Sequence, residues 1–390
     1  IIIFRKDFYR RSETFIYSQV NYLKNNFKVF LVAEKFSNDE YFDFKNLELV
    51  LLNKYESIIL RIKYKLFGSQ IDPDFRLHNR YQFKNIIKEK NIKLIHAHFG
   101  TEAMRILPVA QKNNVPLVVT FHGYDASRLL KNEWYKNNLP RLLNYASKII
   151  IVSPHMFENL NLNEWREKVL VLPCGVDVEE FKPLEREKKD KIQLLHSGRI
   201  LNKKGVPDLI RVFAELYKTN KNLHLAVVGD GPELNLCRTV AVEHGINEAV
   251  SFYGAQPHCM VKKLLNDSDI FILNSRTAED GDMEGTPVSI LEAMSMEKAV
   301  VSTYHAGIPD VIQDDFNGLL VPEKNNELLK HAVHRLITDL DLTKRLGKEA
   351  RRTVVSRYSV QKIYPILRDT LTCISNEFFK DQSPTKNISG

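Results

Sequence analysis

Two successive series of short, β-branched apolar runs, each run followed by an amphipathic stretch, constrain this chain more than any other feature. Residues 1–5, 28–33, 92–97, 116–121, 148–152 and 168–172 form the first series, with helical spacing of apolar residues at 14–26, 76–89, 101–113 and 154–161. Continuous apolar runs of this length are strands buried on both faces, as in parallel sheets covered by helices. A charged, solvated segment, PLEREKKDK at 183–191, interrupts the pattern. The second series follows at 192–197, 223–229, 250–254, 269–273, 298–303 and 318–321. Repetition across a linker predicts an α/β chain of two facing Rossmann-like domains, 1–183 and 184–358. Residues 325–338, 341–357 and 360–378 read as helices. The last of them predicts a helical C-terminal segment, 359–380, that returns to the N-terminal domain, ahead of a frayed polar tail at 381–390.

With 390 residues, 44% hydrophobic and 27% charged, the chain has ample material for two cores and no compositional case for disorder. Its net charge of +8 is unevenly spread. Residues 1–170 hold 27 Lys/Arg against 17 Asp/Glu, whereas 171–390 hold 29 against 31. An anionic partner is therefore expected at the first half, be it nucleic acid, anionic lipid or a phosphorylated small molecule, and charge alone does not choose among these. The segment SIILRIKYKLF, 57–67, reads as an interfacial helix or as a core helix with solvated cations. Cys174, Cys237, Cys259 and Cys373 are widely spaced, with no C-x-x-C pair, which argues against a disulfide framework or a zinc site. No apolar run approaches the roughly 18 residues of a membrane span, and the first residues are too short for a signal peptide. The expectation is a cytoplasmic protein, peripheral at the inner face of the cytoplasmic membrane. The sequon at Asn387 is then a chance match.

Ligands of open α/β sheets bind beyond the carboxyl ends of strands. His196-Ser197-Gly198-Arg199 ends one run, and Asn202-Lys203-Lys204-Gly205 then opens a helix. Gly198 lets backbone approach a phosphate, the helix start offers N–H groups, and Arg199 and Lys204 add charge, which suits a diphosphate. Glycine turns with solvated cations are the plainer explanation. Neither G-x-G-x-x-G nor G-x-x-x-x-G-K-[ST] occurs, so nicotinamide-dependent and P-loop chemistries lose their main support. In SRTAEDGDMEGTPVSILEAM, 275–294, seven residues, beginning with Gly285-Thr286-Pro287, lie between Glu284 and Glu292. With a helix beginning near Thr286, the two carboxylates lie at different levels and can grip a sugar at one end and a ribose at the other. Two ordinary helix glutamates would look the same in isolation. His96, His98 and His122 end strands in the first half, where packing or a metal site explains them. Asp267-x-Asp269 and Asp280-x-Asp282 resemble D-x-D pairs, of which the first reads as a helix-to-strand turn.

In order along the chain, SETFI, HAHFG, TFHGYD, VSPHM, VLPCGVDVEEFKP, SGRILNKKGVPDLI, VVGDGP, VSFYG and the E-x7-E segment ending ILEAM resemble the GT-B retaining glycosyltransferases of family four. SETFI, TFHGYD and the acidic segment are most similar to the branch that builds colanic-acid-like exopolysaccharides. The resemblance implies a metal-independent hexosyltransferase with no cofactor and a nucleotide-diphosphate sugar as co-substrate. It implies a polyprenyl-diphosphate-linked glycan as acceptor, so the first-half surplus of Lys and Arg is expected to face an anionic membrane surface and a lipid diphosphate rather than nucleic acid. It further implies that Arg199 and Lys204 neutralise the diphosphate, that Glu284 meets the donor sugar and Glu292 the ribose, and that His122 stands near the reacting sugar. Gly285, Thr286 and Pro287 face sugar and phosphate, and the base lies near Tyr253 and Gln256. Two readings compete: a nucleotide-sugar 2-epimerase of the same fold, and a non-catalytic nucleotide-sugar or glycan-binding protein. The sequence departs from the family after its first run, where 6–12 reads KDFYRRS without glycine, and in a lengthened loop at 277–283.

Overall fold

The structure is a computed structural model that describes residues 1–8, 13–37, 47–52, 77–185 and 190–382. The chain divides into two compact units, one of Ile1–Val152, Phe157–Leu172 and Tyr364–Gly390, the other of Ser153–Met156 and Pro173–Ile363. The N-terminal unit is built on a seven-stranded sheet. Its strands are β1 (Ile2–Phe4), β3 (Phe30–Ala33), β5 (Glu48–Leu51), β6 (Ile95–His98), β7 (Leu117–Phe121), β8 (Lys148–Ile151) and β9 (Val169–Val171), in the order β5-β3-β1-β6-β7-β8-β9. A separate short pair joins β2 (Asp7–Phe8) and β4 (Lys35–Phe36). The C-terminal unit has β10 (Ile192–Ser197), β11 (Leu223–Val228), β12 (Val250–Gly254), β13 (Ile270–Ile272), β14 (Ala299–Thr303) and β15 (Leu319–Val321), ordered β12-β11-β10-β13-β14-β15. Neighbouring strands pair in parallel throughout both sheets. The two parallel-sheet α/β units are those the alternation of apolar runs predicts.

The central strands are buried along their whole length, for example β7 and β14, so burial on both faces explains why they are uniformly apolar. In the C-terminal unit the helices Val206–Thr219, Leu234–Glu243 and Asn326–Thr338 contribute Leu209, Phe213, Val240 and Leu329 to one core with Leu194, Leu225, Ile272 and Val301 of the sheet. Each sheet reverses its order once, beside β1 and β6 in the first unit and beside β10 and β13 in the second. At such a reversal the loops leave in opposite directions and open a crevice at the carboxyl ends of the strands.

The chain enters the second unit at Pro173, ahead of the boundary expected at 183. Residues 174–181 are held there by burial of Cys174, Val176, Val178 and Phe181, by a bridge from Val176 to Ser359, and by Arg351 and Ser295, which both donate to the Phe181 carbonyl. The chain thus passes into the second unit ahead of the charged segment 183–191, of which residues 186–189 lie outside the described residues. The terminal helix, Val360–Gln382, contributes residues from Tyr364 onward to the N-terminal unit, where the Tyr364 ring packs 5.4 Å from Tyr22. Segment 57–67 and the tail from 383, with Asn387, lie outside the described residues. No helix of the described residues is long and apolar enough to cross a membrane.

Candidate functional site

β10 ends at Ser197, and the loops leaving β10 and β11 bond together, Gly198 N–H to Val228 O at 3.0 Å and Ile200 N–H to Asp230 O at 2.9 Å. A single 3-10 turn, Asn202–Lys204, closes on Gly205, whose φ of 58° is left-handed. A Cβ there would lie 2.5 Å from the Asn274 carbonyl, so only glycine lets this turn approach the strand-end loop after β13. The turn sets two cations differently. Arg199 is exposed and makes no ion pair among the described residues. Lys204 is buried and places Nζ 2.8 Å from Glu284 Oε1.

Glu284 reaches this point from the acidic loop after β13, which is pinned at several places. Lys203 Nζ donates to Asp282 Oδ1 at 3.1 Å and to the Met283 carbonyl at 3.3 Å. Arg276 pairs with Asp208 and donates to the Asn202 carbonyl. Ser275 Oγ donates to Glu284 Oε1 at 3.3 Å, and the Glu284 amide donates to His305 Nε2 at 3.1 Å. Both side-chain contacts of Glu284 use Oε1, and Oε2 makes none among the described residues. Burial pushes the Glu284 carboxyl up, but the charges of Lys203 and Lys204 and the Lys204 hydrogen bond outweigh it and bring the pKa to about 2. Glu284 is therefore an acceptor at neutral pH, not a proton donor.

Gly285, Thr286 and Pro287 are buried, the first two in a bend and Pro287 extended, and the helix begins at Val288, not near Thr286 as the sequence suggests. Pro287 has ψ 107°, outside the helical range, and caps the helix Val288–Ser295 without a side-chain acceptor. Glu292 consequently lies just over one turn in. It is buried and accepts from His258 Nε2 at 2.9 Å. Burial lowers the His258 pKa, but Glu292 and the Glu180 charge raise it overall. Tyr253 and Gln256 lie at the end of β12, Tyr253 exposed, with Gln256 Nε2 donating to the Tyr253 carbonyl.

His122 belongs to the N-terminal unit. Its Nε2 lies 3.1 Å from His98 Nδ1, and its ring packs against Phe15 and Phe99. His96 Nε2 bonds Thr120 Oγ1 at 2.8 Å. The three imidazoles thus pair with each other and with Thr120 instead of converging on one point. Among the described residues no three His, Cys, Asp or Glu side chains are grouped to hold a metal ion. Burial holds His98 and His122 well below the usual imidazole range. Phe99, with φ 74°, is a bulky residue in left-handed backbone and opens the helix Gly100–Lys112, while the Arg5 guanidinium lies 4.1 Å over its ring. Asp125 accepts the His122, Gly123 and Gly100 amides, fixing the loop.

The structure brings Gly198, Lys204, Glu284 and the 285–287 turn together in the C-terminal unit. The sequence does not single out Ser275, His305, Glu323 or His258, and it marks Asp282 only as one half of a D-x-D pair. His305 stands two residues beyond β14, where the same strand-end rule that flags His122 would have found it.

Comparison with known proteins bears on both units. A family model described as "Glycosyltransferase Family 4" matches residues 12–180, and one described as "Glycosyl transferases group 1" matches 177–353. The putative colanic acid biosynthesis glycosyltransferase WcaL of Escherichia coli K12 is 29% identical over 272 residues, 68% of this chain and 67% of that protein. The amylovoran biosynthesis glycosyltransferase AmsK of Erwinia amylovora is 29% identical over 61% of this chain, and the match spans only 60% of its own length. The solved structure of Anabaena Alr3699/HepE in complex with UDP-glucose superposes with a TM-score of 0.77 at 17% identity, covering 95% of this chain and 99% of that one. At that identity the likeness concerns the fold.

Proposed function

Because the chain belongs to the GT-B glycosyltransferases that join a family 4 domain to a group 1 domain, we propose that it moves a hexose, with retention, from a nucleotide sugar to a polyprenyl-diphosphate-linked glycan during surface polysaccharide assembly. The observation that carries this reading is the buried Lys204–Glu284 pair at the reversal of the second sheet, with Glu284 Oε2 uncommitted. A nucleotide sugar presents a dianionic diphosphate next to a ring of hydroxyls. Arg199, Lys204 and the backbone N–H groups at Val288 meet the first, and the ionised Glu284 accepts from the second. As the glycosidic bond breaks, negative charge grows on the departing diphosphate, and fixed cations stabilise it without reorganising. Glu292, held by His258, is assigned to the ribose, Tyr253 and Gln256 to the base, and His122 to the reacting sugar. The Anabaena neighbour, solved with UDP-glucose, supports the donor class. The colanic acid and amylovoran relatives support the pathway class, and the first-half surplus of Lys and Arg supports an anionic lipid surface for the acceptor. The cations take the charge that a metal would otherwise carry.

Thermal shift with UDP, GDP and ADP and their sugar conjugates tests this. One nucleotide is expected to raise Tm by several degrees, equally with and without EDTA, and a flat response to all of them would refute the donor assignment.

A further inference from the structure

Behind Glu284 lies a polar pair, a buried imidazole with a half-buried carboxylate, that the donor reading leaves without a task. His305 is fully buried past the end of β14 and uses both ring nitrogens. Nε2 lies 3.1 Å from the Glu284 amide and Nδ1 lies 2.6 Å from Glu323 Oε1. An amide N–H can only donate, so Nε2 accepts, and the ring proton sits on Nδ1, donated to Glu323. Glu323, just past the end of β15, accepts the Thr277 amide on Oε2 at 2.8 Å. The chain of bonds from Thr277 through Glu323 and His305 to Glu284 therefore ties the two ends of the acidic loop to the ends of two adjacent core strands.

We propose that His305 and Glu323 are positioning residues for the sugar end of the donor site. They hold the Met283–Glu284 peptide while Lys204 and Ser275 hold Oε1, leaving Oε2 as the one free acceptor in a fixed place. The inference rests on the donor reading above. It separates sugar recognition, which depends on this bond chain, from diphosphate recognition, which depends on Arg199 and Lys204. Glutamine and asparagine dissect the imidazole. In His305→Gln the amide oxygen reaches the place of Nε2 and still accepts the Glu284 N–H. In His305→Asn the shorter amide can reach Glu323 but not Glu284.

The test is calorimetric titration with UDP, GDP and ADP and with UDP-glucose, GDP-mannose and ADP-glucose, reading the affinity for each diphosphate and the gain from its sugar. The wild-type chain and His305→Gln are expected to share the sugar gain, whereas His305→Asn loses about tenfold of it, the effect of one buried hydrogen bond, with diphosphate affinity kept. An Asn variant that keeps the full gain, or that loses diphosphate affinity in step with it, overturns the inference while the donor reading stands. A wild-type chain that binds no diphosphate overturns both. Nitrogen-15 shifts of the His305 ring give a ligand-free check: a protonated Nδ1 is expected, and a protonated Nε2 would overturn the bond chain.

Discussion

Lys204 and Glu284 show at the residue scale how much of the site is electrostatic. Removing one member of a buried ion pair leaves an uncompensated charge, which costs roughly 3–5 kcal/mol. Lys204→Met is thus expected to destabilise the chain strongly, and Glu284→Gln in the same background should recover most of the loss. Urea denaturation of the two single variants and the double variant measures the coupling, and additive effects would contradict the pairing. The sequence names Lys204, Arg199 and Glu284 because each stands at a strand end or beside a helix start, and Glu292 because of its E-x7-E spacing from Glu284. It does not name what Glu284 and Glu292 bond to. His305 is 21 residues from Glu284, Glu323 is 18 from His305, and His258 is 34 from Glu292, so these bonds arise only when separate strands are laid side by side. For the same reason Lys204 reads in sequence as a diphosphate cation alone, whereas the structure also gives it a carboxylate partner.

The turn from Glu284 to Pro287 shows at the element scale how the sheet supports the site. Gly307, at the start of the short helix Ile308–Val311, lies against it: a Cβ there would meet the Gly285 carbonyl at 2.3 Å and Ser153 Oγ at 2.8 Å. Backbone cannot give way cheaply, so Gly307→Ala should cost about 1–3 kcal/mol and weaken sugar-nucleotide binding by displacing the turn. Unchanged Tm and affinity would show that the contact is loose. Most strands are legible because burial on both faces leaves them continuously apolar. In the seven-stranded sheet β5 is the exception: its residues alternate between half-buried and exposed, as on an edge, and the sequence does not mark it. The helix start near Val288 is displaced from its expected place because Pro287 fixes φ but not ψ.

For the whole molecule, two units carry different ionisable burdens. Burial lowers His96 in the first unit and His196 in the second to about 4 from 6.5, and it also holds His98 well below the usual imidazole range. A histidine whose folded value lies below its unfolded value takes up its proton first in the unfolded chain. Its contribution to stability is present above pH 6.5 and is lost as pH falls toward 4. Glu284 follows the same sign in a lower window, losing its contribution as pH falls from 4.5 toward 2. Urea midpoints are therefore expected to fall steadily from about pH 6.5 downward, and a flat profile to pH 4.5 would contradict the burial of these imidazoles. The two-unit architecture and the family are legible at this scale, since apolar periodicity and ordered motifs run through nearly the whole chain. The crossing at Pro173 is not, because the apolar residues of 174–181 do not say which sheet they cover. We propose that this chain transfers a hexose from a nucleotide sugar through Lys204 and Glu284. The most direct measurement follows label from a sugar-labelled nucleotide into the organic-soluble lipid-linked glycan fraction, comparing wild type with Glu284→Gln and Lys204→Ala variants shown to be folded. Transfer by the wild type is expected, with a loss of about a hundredfold or more in each variant, as for removal of a charge-stabilising group. Transfer at the wild-type rate by both variants would contradict it.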